Sequence, residues 1–103
     1  MRYLVLAADY HDDCCLHDEF TGESAMNNEA IDMEMRNRII QWNRMYVPII
    51  VGAVSKSDSL EEIVRLDRNG YDIAQVIQDT IGDDTKVKYY SEGHGVYLLQ
   101  WNL

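Results

Sequence analysis

The chain is poor in the residues that build small secreted scaffolds and flexible connectors. It has two cysteines, one proline and six glycines in 103 residues, so it lacks the makings of a disulfide-stapled fold or a flexible linker. The cysteines are neighbours, Cys14 and Cys15. A disulfide between adjacent residues closes a strained ring, so a reduced, intracellular pair is the expectation. Long hydrophobic runs are missing too. The longest, residues 47–54, falls well short of the roughly 20 residues of a membrane span, and residues 3–8 lack the length and flanks of a secretion signal. These absences point to a soluble, cytoplasmic protein that does not associate with membranes. Positive charge is scarce: nine Lys and Arg stand against eighteen Asp and Glu, a formal charge of −9. Such a charge repels a phosphate backbone and disfavours nucleic acid as a partner.

What remains is enough for a core. A hydrophobic fraction of 47% exceeds what disordered chains carry, and the length fits a single globular domain over residues 1–103. Charge is laid out in three blocks. Residues 1–35 hold nine acids against Arg2 alone, residues 36–56 hold Arg36, Arg38, Arg44 and Lys56 with no acid, and the remainder is again acidic.

Residues 2–9 (RYLVLAAD) read as a first buried strand. Periodicity then disappears over a long irregular loop, residues 10–28. From Glu29 a helical period takes over, with Ile31, Met35, Ile39, Trp42 and Tyr46 at steps of three and four. Pro48 disfavours helical dihedrals at Val47, which predicts a helix end near residues 44–46 and a second buried strand over 47–54. Ser59 and Glu62 match a capping box, so a helix should start near Leu60. Asn69-Gly70 reads as its stop and Asp72 as the cap of another helix ended by Gly82, the alternative being one bent helix. Residues 86–90 and 96–101 flank a Gly-containing turn and read as a hairpin. The expected fold is α+β: a β-α-β-α-β-β order, with a small mixed sheet and helices packed on one face as a two-layer sandwich.

Four groups of residues invite a functional reading. His11, Cys14, Cys15 and His17 are of zinc-binding type, but structural zinc sites draw spaced pairs from separate segments, so a solvated acidic loop with Cys14 or Cys15 tucked beneath it is expected, and no metal or cofactor. No nucleophile, base and orienting group are spaced to form a catalytic set. His94, between two glycines, reads as a hairpin residue. On the helix from Glu29, Met33 and Ile40 lie opposite the core stripe and Arg36 and Arg44 flank them. That is the composition of a protein-binding hot spot, unless a sheet, a loop or a dimer mate covers this side.

Two stretches resemble known families. The segment EEIVRLDRNGYDIAQVIQDTIG followed by DDTKVKYY resembles helix-turn-helix modules of the resolvase and transposase kind. That resemblance implies a DNA-binding regulator with Lys86, Lys88, Tyr89 and Tyr90 in the major groove. The opening MRYLVLAADYHDD, the stretch DSLEEIVRL and the close YLLQWNL are similar to small ferredoxin-like proteins of the dimeric α/β-barrel type, including the YCII-related group. This implies a layered, homodimeric small-molecule enzyme with a His and an Asp in a cleft beside the sheet. No catalytic residue is carried over, because His11 and Asp67 do not fall at clearly matching positions.

The leading expectation is a small acidic protein-binding module, an inhibitor or antagonist of the immunity-protein or viral type. Its partner is a nucleic-acid-processing protein with a basic surface, because acidic side chains can cover a groove that otherwise receives phosphate. Expected contacts are Asp9, Asp12, Asp13, Asp18, Glu19 and Glu23, with Asp83 and Asp84 as a second patch and Met33, Arg36, Ile40 and Arg44 on the helix.

Overall fold

The computed structural model describes residues 1–98. Four strands form one mixed sheet: β1 (Arg2–Leu6), β2 (Leu16–Asp18), β3 (Thr85–Ser91) and β4 (Val96–Leu98), in the spatial order β2-β1-β3-β4. The central strands β1 and β3 run parallel, and each carries an antiparallel strand on its outer side. Between them the chain runs through α1 (Met33–Ile50), a short 3-10 turn and α2 (Leu60–Ile81). The class is α+β as expected, but the order is strand, strand, helix, helix, strand, strand.

Alternation along the strands decides what is buried. Leu16, Leu6, Tyr89 and Leu98 line up across all four strands, and each is buried. Helix α1 meets this row with Ile39, Trp42, Tyr46 and Ile49, and α2 adds Ile63, Leu66, Ile73 and Ile77. The indole of Trp42 stands edge-on to Tyr89, with centroids 6.0 Å apart, and its Nε1 donates to the Leu66 carbonyl at 2.8 Å.

Several boundaries differ from expectation. Helix α1 starts at Met33 rather than Glu29, because the Asp32 carboxylate caps it by accepting from the Met35 amide. At its other end it runs through Pro48 to Ile50, so residues 47–54 form no second strand. Proline removes one donor and strains the preceding turn, but it stands in the last turn here. Ile49 extends the stripe from Trp42 and Tyr46 and is 3% exposed, while the Pro48 carbonyl accepts from the Ala53 and Val54 amides and closes the turn. The irregular loop contains β2. Ser59 stands at the amino end of α2 without a side-chain cap bond, and Glu62 pairs with Arg65 instead, so the capping box is not made. The expected hairpin forms over Thr85–Ser91 and Val96–Leu98, and its extension through 99–101 lies outside the described residues.

Residues 60–81 are one continuous helix and 85–91 a strand. The helix-turn-helix arrangement implied by the first resemblance is therefore not formed there, and Tyr89 belongs to the core. Gly70 is helical, and it has another role: a Cβ at this position would sit 2.7 Å from Trp42 Cζ2 and closer still to the Tyr89 ring. Gly to Ala inside a helix ordinarily gains about 1 kcal/mol, but overpacking between two buried rings costs about 1–3 kcal/mol. We expect Gly70→Ala to lower stability by up to about 2 kcal/mol in urea denaturation; a gain would mean the rings yield freely.

Candidate functional site

Two features converge at the carboxyl ends of the parallel strands, the place where open sheets most often receive ligands. One is a buried carboxylate. Asp67 lies on the otherwise apolar stripe of α2 and is 0% exposed. Its Oδ1 accepts from the hydroxyls of Tyr46 at 2.8 Å and Tyr89 at 2.7 Å. Its Oδ2 accepts from Ser91 Oγ at 2.7 Å and meets His94 Nδ1 at 2.8 Å. The hydroxyl of Tyr46 in turn accepts from the Gly93 amide, and Ser91 Oγ from the His94 amide.

This arrangement fixes the imidazole. A carboxylate offers only acceptors, so Nδ1 carries the proton that faces Asp67. The His94 side chain is 30% exposed, which lets its outer edge reach water. Burial, reinforced by the neighbouring Asp67 carboxylate, pushes the phenols of Tyr46 and Tyr89 well above the ordinary tyrosine range. Among the described residues no buried side-chain polar atom lacks a partner.

The second feature is a cleft of about 470 Å³ just beyond β1 and β3, lined by Ala7, Ala8, Asp9, His11, Asp12, Cys14, His17, Gly22 and Glu92. Among the described residues, no Lys or Arg lines it. Its wall is an ordered loop. The Asp9 carboxylate accepts from the His11 amide and that of Asp12 from the Cys14 amide. From α1 the buried Asn43 grips the loop at three points: its Oδ1 accepts from the Asp9 amide at 2.8 Å, and its Nδ2 donates to the Asp9 carbonyl and to Asp13 Oδ1. Asp13 adopts a positive φ of 57°, a conformation that aspartate tolerates better than most residues. Burial raises the Glu92 carboxyl above its usual range, and Lys56 opposes that shift.

The acids expected to act together are divided by the fold. Asp9 and Asp12 line the cleft with His11, Cys14 and His17. Asp13 turns to Asn43 and Arg44. Asp18 accepts from the Phe20 and Thr21 amides, which together with Arg2 hold its carboxyl below the usual range. Glu19 pairs with Lys88 at 3.0 Å across the sheet. Glu23 is exposed. Asp83 and Asp84 lie at the amino end of β3, where the Asp84 carbonyl accepts from Arg2, so the parallel pair separates this patch from the cleft. Met33 is 72% exposed, whereas Ile40 is partly buried against the core. Arg36 donates to the Met26 and Ile31 carbonyls and so ties the preceding loop to α1. Cys15 is fully buried, and burial pushes its thiol up to about 12. Among the described residues, no three His, Cys, Asp or Glu side chains are grouped to hold a metal ion.

Asp67, Asn43 and Glu92 were not on the list of expected contacts. The signal for Asp67 was present, as the one charged residue among the buried positions of α2. No protein-family model, curated protein or solved structure matches the chain.

Proposed function

We propose that this protein is a small acidic binding module that occupies a cationic surface of a protein partner, with a nucleic-acid-processing protein as the class of target. The observation that carries this reading is the cleft at the strand ends, where Asp9, Asp12 and Glu92 stand together with no Lys or Arg among the described lining residues. Lysine or arginine side chains of a partner suit such a cleft. Because the loop is already held by Asn43 and by its own carboxylates, little ordering entropy opposes binding.

The acids are also loop-holding acceptors, so the test replaces them with amides that keep the acceptor oxygen. Wild-type protein and the triple variant Asp9→Asn, Asp12→Asn, Glu92→Gln are used as affinity baits in cell extract at low and high salt. A cationic nucleic-acid-processing protein retained by wild type at low salt, and reduced about tenfold with the variant, is the expected outcome. Equal retention by both baits, or no such protein at low salt, overturns the proposal.

A further inference from the structure

Strand alternation splits the residues 86–90 between two faces. Tyr89 enters the core, while Lys86, Lys88 and Tyr90 emerge on the opposite face. Tyr3 is the register partner of Lys86, and Tyr97 is that of Tyr90. The helices meet the Tyr89 side, so among the described residues no helix covers this face. The Lys88 ammonium lies 5.2 Å from the Tyr3 ring centroid and 5.5 Å from that of Tyr97. Tyr90 and Tyr97 have centroids 5.1 Å apart, and Tyr97 is 44% exposed.

We infer that this face binds single-stranded nucleic acid, with the tyrosines stacking on bases and Lys86 and Lys88 meeting phosphates. Aromatic rings interleaved with cations on a sheet are what unstacked bases require, and the charge of the two lysines complements the backbone. A protein interface would deplete lysine at its centre, and Lys88 is central here. A duplex keeps its bases stacked inside and offers this flat face no ring surface. The formal charge of −9 opposes binding but is screened beyond about 8 Å at physiological ionic strength. Glu19 is different, because it holds Lys88 at 3.0 Å through both oxygens and competes directly with phosphate. Binding is therefore weak, and Glu19 restrains it. This inference is independent of the cationic-partner proposal, since the cleft acids lie outside the face.

The test is fluorescence anisotropy of labelled oligothymidylate and oligouridylate of about 10 nucleotides at low salt, using the intact chain. Saturable binding is expected, with a log–log salt slope of roughly −1.4 from two phosphate contacts. Tyr97→Ala and Tyr90→Leu should each weaken it about tenfold with circular dichroism unchanged, and Glu19→Gln should tighten it severalfold. Several results would overturn the inference: no binding by wild type or Glu19→Gln, equal affinity for duplex, tyrosine variants that bind like wild type, or a dimer in sedimentation that Tyr97→Ala dissolves.

Discussion

Asp67→Ala is expected to remove about 4 kcal/mol or more of folding stability, a large share of what holds a domain of this size together. The estimate follows from the donors it strands. Tyr46, Tyr89 and Ser91 are buried and have hydroxyls aimed at Asp67, and a buried donor left without a partner costs about 1–3 kcal/mol. That cost stands against a total of about 5–15 kcal/mol for a domain. His94 adds less, because its exposed edge can turn to water. Asp67→Asn keeps one acceptor oxygen and should lose roughly half as much. Since the carboxylate joins α1, α2, β3 and the turn at His94, amide exchange in the β3–β4 hairpin should accelerate even in Asp67→Asn. Urea denaturation and hydrogen exchange check both statements. A change below about 1 kcal/mol for Asp67→Ala would show that the network contributes little.

The residues that formed β1 and the first half of α1 were legible because their apolar spacing has one period and little competition. The run at 47–54 misled because a short apolar stretch beside a proline fits a buried strand or a helix end equally well. The deciding clue was Ile49, which continues the steps from Trp42 and Tyr46. Gly70 was open to reading as a stop because its reason lies elsewhere in the chain, in the rings of Trp42 and Tyr89. The site was less legible for the same kind of reason. Asp67 draws its partners from 21 to 27 residues away, and no local spacing encodes that. The acids of residues 9–23 look like one patch in sequence, but turns and strand pairing give them separate neighbours. Lys86, Lys88 and Tyr90 were read as part of a hairpin strand, which the structure forms, whereas the helix-turn-helix resemblance set them on a helix that is not there. A strand places them two residues apart on one face, with Tyr89 behind.

Alkaline pH should destabilise this protein more steeply than it does most domains of its size. Burial raises three acids that are neutral at pH 7: the Cys15 thiol from 9.0 to about 12, and the phenols of Tyr46 and Tyr89 from 10.0 to higher still. In the unfolded chain each ionises near its ordinary value, so above that pH the unfolded state sheds protons that the folded state keeps. The stability these groups contribute is therefore complete below about pH 9 and is lost as pH rises toward the folded values. Each group contributes about 1.4 kcal/mol per pH unit. Cys15 acts alone between pH 9 and 10, where the loss is about 1.4 kcal/mol; above pH 10 all three act, and the slope reaches about 4 kcal/mol per unit. For a domain near the low end of about 5–15 kcal/mol, cooperative unfolding should occur near pH 11, and for a more stable one at higher pH, with tyrosinate absorbance rising in the same step. The breakpoints identify the groups. Cys15→Ala should remove the loss between pH 9 and 10 and leave the steeper limb, whereas Tyr89→Phe should reduce that limb by about a third while lowering stability at neutral pH, because Asp67 loses a donor. A urea midpoint that stays flat from pH 8 to 11 would mean that the thiol and phenols ionise in place, and that their burial is looser than the packing around Trp42 and Asp67 indicates.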